Sequence, residues 1–341
     1  MTDFGRRRFL MSAGAGIAIL GLPSAECLMA EEAVQSISRL KLANLLKDEF
    51  NIPGRIIDEA LAEAAFQPSV IERMNRPYEA RPYVEYRPLF VHPRLARLGR
   101  EYLAEHDRIF DEAWRRYGVQ KEIIASILGM ETHYGRSIGK DRVLDSLFTL
   151  ATGYPRRADF FRKELGHFLT MCQEESLSPG TPVGSYAGAF GTTQFIPSSF
   201  RGYAVDADGD GKRDVWNSPA DIIHSVAHYF YKHGWDGDRP VAYWLDEVPT
   251  KPALKKQREL ELKQWSDVQN LNRAGLPALP APWKADDKVS LADFDTADGL
   301  RTALIHRNFY TITRWNRSSK YAMAATELAE MLGCELCRTH A

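Results

Sequence analysis

Apolar positions recur mostly near the helix period. From Ala33 to about Met74 the residues Ile37, Leu40, Leu42, Leu45, Leu46, Ile56, Ile57 and Leu61 predict helix. The pattern breaks over NRPYEARPYVEYRPLFVHP, Asn75 to Pro93, where four prolines and several aromatics predict an extended connector. Helix resumes from Arg97 to Tyr117 through Leu98, Tyr102, Leu103, Ile109, Phe110 and Trp114, and dominates to about Gly234. From Asp236 to roughly Phe294 the texture changes. PVAYWL reads as a strand, a charged helix is expected around Lys255 to Leu271, and LPALPAPWKADDKVSLADF suggests turns and short strands. The tail reads as strand-like IHRNFYTITRWN, then a last helix from about Lys320 to Leu332. The expected fold class is mainly α (α+β). Residues 31–95 would form an N-terminal helical subdomain and connector, 96–235 a helical core, 236–302 a small β-containing insertion, and 303–341 a return to the core.

One polar residue interrupts this pattern in a telling place. In ILGMETHYGRS, Ile124, Ile127 and Leu128 lie within about 60° of Glu131 on a helical wheel, while Glu122, Ser126 and Gly129 face the other way. Gly135 is a natural stop and would put Glu131 in the last turn, where unpaired carbonyls carry partial negative charge. Burial and that dipole end both disfavour ionisation. A carboxyl still protonated near neutral pH is what a general acid requires. The alternative is a structural ion pair with Arg136 or Arg142, and this helix alone does not decide between them.

Composition narrows the partners. With 44% hydrophobic and 26% charged residues the 341-residue chain is an ordinary globular protein. A net charge of −1 gives it no general electrostatic reason to bind nucleic acid. The N-terminus carries Arg6, Arg7 and Arg8, an uncharged run of 17 residues from Phe9 to Ala25, then small residues. This is the layout of an export signal over 1–30, either twin-arginine or ordinary, and it implies a periplasmic location. Glu26 before Cys27 argues against a lipid anchor. Of the remaining thiols, Cys172, Cys334 and Cys337, the last two form either a local disulfide or an idle pair, since the segment lacks a redox or zinc context.

A second polar cluster is the loop DADGDGKRDVWN. Asp206, Asp208, Asp210, Gly211, Lys212 and Asp214 fit positions one, three, five, six, seven and nine of an EF-hand, with Asn217 where a bidentate Glu would stand. A weak calcium site is one reading. A solvated acidic turn with Asx-type bonds is the other.

The stretches GMETHYGRSIGKDRVLDSLFTLATGYPRRADFF and GSYAGAFGTTQFIPSSFRGYAVDADGDGKRDVWNSPADIIHSVAHYFYKHGW resemble the membrane-bound lytic transglycosylase B family, lysozyme-like enzymes that cleave peptidoglycan. The likeness runs from near Tyr86 to the end. It implies a lysozyme-like core and Glu131 as a single general acid and base. That residue would protonate the glycosidic oxygen between N-acetylmuramic acid and N-acetylglucosamine, while the muramoyl 6-hydroxyl closes a 1,6-anhydro ring. An ordinary glycosidase needs a second carboxylate; this chemistry does not.

The resemblance also implies substrate contacts at Tyr86, Ser185, Gln194, Tyr229, Asn316 and Tyr321. Trp315 stands where a tyrosine is more familiar. Without the resemblance, the small residues of GSYAGAFG could equally serve close helix packing. The resemblance favours structural calcium at the acidic loop, with no cofactor for the chemistry. Glycan strands are the implied partner, cell-wall synthesis or division proteins are candidate partners, and a monomer is expected. The rival functions are a hydrolytic muramidase on the same scaffold and a non-catalytic, calcium-dependent peptidoglycan-binding protein.

Overall fold

The computed structural model describes residues 39–75 and 81–340. The export signal expected over 1–30, the start of the first helical segment, and residues 76–80 of the connector lie outside the described residues. Among the described residues no helix is long and apolar enough to cross a membrane.

The first helices are α1 (39–50), α2 (Gly54–Glu63) and α3 (Pro68–Met74). Their apolar faces, through Leu42, Leu46, Ile57 and Val70, join Leu147, Phe148, Phe161 and Phe168 in one core cluster. The partners lie on α8 (Val143–Gly153) and α9 (Ala158–Glu174). Between the two groups the connector is more helical than its prolines suggested. It forms α4 (Tyr83–Tyr86) and a single 3-10 turn at Arg87–Leu89, before α5 (Pro93–Glu105). Pro82 is the N-cap of α4, and Pro88 and Pro93 sit in first turns, where a missing N–H costs nothing. The single helix expected over Arg97 to Tyr117 is two: α5 ends at Glu105 with His106 as its cap, and α6 (Asp107–Tyr117) follows.

The second core cluster surrounds α7 (Lys121–Thr132). Nine of its twelve residues are buried, including Ser126 and Gly129, so the helix is enclosed all round instead of carrying one buried stripe. Ser126 satisfies its hydroxyl within the helix by donating to the Ile123 carbonyl at 2.9 Å. The surrounding residues come from α5, α6, α11 (Pro219–Lys232), α14 (Arg307–Trp315) and α15 (Ser319–Leu332). A short pair, β1 (Asp141–Arg142) with β2 (Val183–Gly184), and the small helix α10 (Pro197–Tyr203) complete the helical body.

The insertion carries an antiparallel sheet of order β3-β6-β5-β4. Its strands are β3 (Ala242–Trp244), β4 (Ser266–Asp267), β5 (Lys288–Thr296) and β6 (Gly299–His306). The charged segment around Lys255 to Leu271 is not one helix. It splits into α12 (Pro252–Leu260), a 3-10 turn at Glu261–Lys263, β4, and α13 (Val268–Arg273), because Ser266 and Asp267 extend to pair with Val289 and Lys288. The expected boundary at 302 falls inside β6, which runs to His306. The strand-like reading of IHRNFYTITRWN is corrected at the same point. The chain turns into α14 there, with the His306 ring accepting the Asn308 N–H and with Phe309, Ile312 and Thr313 on its buried side. β-branched residues mimicked a strand, but their spacing suited a helix once one face had a core to meet.

A buried carboxylate ties the sheet to the body. Glu327 on α15 accepts from Tyr83 OH, Arg87 Nε and Trp244 Nε1, joining α4, the 3-10 turn and β3 to one helix. Cys334 and Cys337 are joined in a disulfide just beyond α15, while Cys172 is a buried thiol pushed by burial up to about 12.

Candidate active site

Glu131 lies in the last turn of α7, half-buried, and the helix ends one residue later. His133, not Gly135, is the left-handed cap, and His133, Tyr134 and Gly135 follow one another at φ of 51°, 60° and 81°. Two such residues bearing side chains are costly, and the surrounding bonds show what holds them. His133 N–H donates to Gly129 O and Tyr134 N–H to Leu128 O, the paired bonds of a Schellman end. Thr132 Oγ1 accepts the Gly135 N–H at 3.0 Å and donates to Thr192 O at 3.0 Å. The Tyr134 ring then folds back along the helix, stacked on Tyr102 at 5.2 Å. A Cβ on Gly129 would lie 2.5 Å from its hydroxyl, so a glycine is needed two positions before the carboxylate.

Two elements distant in sequence deliver donors to that carboxylate. Trp315, the last residue of α14, donates its Nε1–H to Glu131 Oε1 at 2.9 Å. Tyr321, in the first turn of α15, donates its hydroxyl to the same oxygen at 2.7 Å. Ser318 caps α15 and accepts the Tyr321 N–H, which sets the tyrosine's position. Burial, then the Glu131 charge and hydrogen bond, push the Tyr321 phenol well above its ordinary range, so it stays a donor at any working pH. Burial and the neighbouring His92, Arg94 and Arg136 lower His133, so beside the site it is a neutral imidazole near pH 7. Arg142, one of the two cations considered for Glu131, pairs with Glu63 and Asp145.

The other expected contacts divide. Ser185 closes a tight loop: its Oγ accepts the Ala189 N–H at 3.1 Å, leaving the hydroxyl proton to donate elsewhere. Gln194, at φ 51°, commits its amide nitrogen to the carbonyls of Ile138 and Gly191, so its oxygen is the atom left to accept. Asn316 caps the end of α14 beside Trp315 and is half-buried. Tyr86 and Tyr229, expected as sugar-facing rings, are both buried, at 3% and 6% exposure. Tyr86 packs on Phe90. Tyr229 gives its hydroxyl to Arg314 O at 2.6 Å, stacks on His233 and meets Trp315 edge-on at 4.8 Å. It buttresses the tryptophan.

In the acidic loop, Asp206, Asp208 and Asp210 bring carboxylate oxygens within 4.8 Å of one another. The expected set of six is corrected at two places. Asp214 is turned to the N–H groups of Trp216 and Asn217, and the Asn217 amide donates to Asp214, so these two side chains serve each other. The three clustered carboxylates still form a hard-oxygen donor set of the kind calcium takes.

A family profile described as "Transglycosylase SLT domain" matches residues 41–330. The chain belongs to that family. Membrane-bound lytic murein transglycosylase B of Escherichia coli K12 is 39% identical over 249 residues, which is 73% of this chain and 66%, just under two thirds, of the relative. The soluble lytic transglycosylase SltB1 of Pseudomonas aeruginosa superposes with a TM-score of 0.77 at 37% identity, covering 86% of this chain and 97% of that one. The Escherichia coli lytic transglycosylase Slt35 in complex with calcium gives 0.75 at 34%, covering 86% and 92%. The fold is the mostly helical, lysozyme-like one of these lytic transglycosylases, with a small inserted sheet.

Within this SLT-domain chain, sequence reasoning missed several supporting residues. Thr132 and Tyr134 looked like ordinary neighbours of Glu131, and nothing in the pattern marks them as the struts of a strained helix end. Asp221 was legible only as part of a helix start, with Ser218 three residues earlier as the cap. It is fully buried and accepts the N–H groups of Ala207 and Asp214, each at 2.7 Å, pinning both ends of the acidic loop to α11.

Proposed function

We propose that this chain is a peptidoglycan lytic transglycosylase that cuts the β-1,4 bond between N-acetylmuramic acid and N-acetylglucosamine, with Glu131 as its single general acid and base. The observation that carries the reading is one carboxylate at the end of an enclosed helix, oriented by donors from two other helices. The carboxyl protonates the glycosidic oxygen as the bond to C1 breaks. The same group then takes the proton of the muramoyl 6-hydroxyl as that oxygen closes on C1. No water is consumed, and Glu131 ends as it began. Ser185, with its free hydroxyl proton, Gln194, with its free amide oxygen, and Asn316 are the polar groups that would hold the sugars flanking the scissile bond.

Digestion of purified murein followed by mass spectrometry tests this. The expected products carry 1,6-anhydro ends, and Glu131→Gln is expected to lower the rate by on the order of a thousandfold or more while murein binding persists. Reducing ends would mean a hydrolytic muramidase, and an unaffected variant would mean a binding protein.

Calcium is part of the same proposal. Asp206, Asp208 and Asp210, with the Lys212 carbonyl, would hold it, and the ion would offset carboxylate repulsion in a loop whose ends Asp221 already anchors. The Slt35 structure with calcium supports this by likeness. The murein-directed relative likewise supports export from the cytoplasm, with the basic and apolar residues near the N-terminus as the signal, of twin-arginine type.

A further inference from the structure

Ser185 and Gln194 share a support. Gln194 donates its amide to Ile138 O at 3.2 Å, and Ser185 follows Gly184, the residue paired with Asp141 where β1 meets β2. The approach between these segments is close: a Cβ on Gly139 would overlap Gly184 O and stand 2.8 Å from Ser185 N. Residues 138–142 therefore back both side chains, and a shift of this segment moves Ser185 with it. The two-residue ladder cannot fix the segment by itself, since even a whole isolated hairpin is marginal in water. The N-terminal helices supply what it lacks. Arg142 donates to Glu63, the last residue of α2, at 2.6 Å and to Gly180 O at 3.2 Å. Arg73, on α3, forks onto Asp141 with bonds of 3.0 and 2.5 Å, while its Nε donates to Ser69 O one turn back. Its guanidinium carbon also lies 4.9 Å from the centre of the Tyr186 ring. Arg73 thus touches the strand that pairs just before Ser185 and the ring just after it. A lysine would bring the charge but not the planar fork.

We propose that Arg73 is a positioning residue for the glycan: it holds the Ser185 loop against residues 138–142 and so gives the N-terminal helices a part in substrate affinity. This rests on the reading of Ser185 as a sugar contact. The Arg73 and Asp141 side chains are 41% and 27% exposed, and a pair so open to water adds little to stability. Its effect belongs in binding. A loop that holds the sugar equally before and during bond cleavage contributes to KM and not to kcat.

The test uses soluble, peptide-free glycan strands. Arg73→Met, which keeps the aliphatic stem and loses the fork, is expected to raise KM about three- to fivefold with kcat and Tm little changed. Kd for the same strands, measured in a Glu131→Gln background where turnover is removed, should rise in step. Arg55→Met is the control: it removes an exposed ion pair within α2, between Arg55 and Glu59, and should leave KM unchanged. In Ser185→Ala, itself expected to bind more weakly, the further loss from Arg73→Met should shrink, because a brace has less to act on once the group it positions is gone. An unmoved KM, an equal rise in Arg55→Met, or an undiminished further loss in Ser185→Ala overturns the proposal. Should Arg73→Met melt too early to assay, Asp141→Asn, which keeps the shape of the side chain without its charge, goes through the same cycle and decides by the same outcomes. Unchanged affinity in Ser185→Ala alone would instead sink the reading on which the proposal rests.

Discussion

At the scale of single residues the site depends on atoms that never meet substrate. Gly129 is the clearest case, since a methyl group there would stand 2.5 Å from the Tyr134 hydroxyl and 2.8 Å from its ring. Gly129→Ala is expected to cost about 1–3 kcal/mol of stability through overpacking. It should also lower kcat, because the ring that must move braces the turn directly after Glu131. Thermal melts and murein turnover on the same preparations check this, and a stable, fully active variant would refute it. The glycine, the glutamate and the second glycine of GMETHYG were all legible as a motif. Which side chain lay against which was not, because Tyr134 reaches Gly129 only once the chain has turned left-handed at His133 and at Tyr134 itself.

At the scale of elements, the junction of β6 with α14 decides where Trp315 arrives. His306 ends the strand and accepts the Asn308 N–H at the start of the helix, and burial pushes its imidazole down to about 4. A histidine whose folded value is lowered stays neutral in the native state while the unfolded chain protonates near its ordinary 6.5. Stability is therefore undiminished above about pH 6.5, falls as pH drops, and reaches its full loss, about 3 kcal/mol, by about pH 4. Melting curves should show the decline across that window in the wild type and a smaller one in His306→Asn, which keeps an acceptor but cannot titrate there. Equal slopes in the two proteins would count against this role. Periodicity located most helices, yet it misread this one as a strand. The same pattern of Thr and Ile satisfies either geometry until a core supplies the face to be buried.

For the whole molecule, the acidic loop and the buried Glu327 are two places where segments distant in the fold are held together. If the loop takes calcium, millimolar Ca2+ should raise the melting temperature, and a chelator should reverse the rise. At a hundredfold excess over Kd the gain is about 2.7 kcal/mol. Asp210→Asn should abolish the shift while leaving murein turnover largely intact, since Glu131 performs the chemistry. A melting temperature indifferent to calcium would mean that the loop is a solvated turn. Glu327 works differently, gathering Tyr83, Arg87 and Trp244 so that the sheet and α4 rest on the helix that also carries Tyr321.

The amino-acid sequence by itself determined the helical periods, the one carboxylate out of place on an apolar helix, and the acidic loop. Each follows from neighbours a few positions apart, where local sterics and hydrophobic spacing act. Only the tertiary structure decided that Trp315 and Tyr321 donate to one oxygen of Glu131, and that Tyr229 packs edge-on against Trp315. The two bonds to Glu131 join residues 184 and 190 positions apart. Their meeting is set by how three helices pack, and no local pattern encodes that.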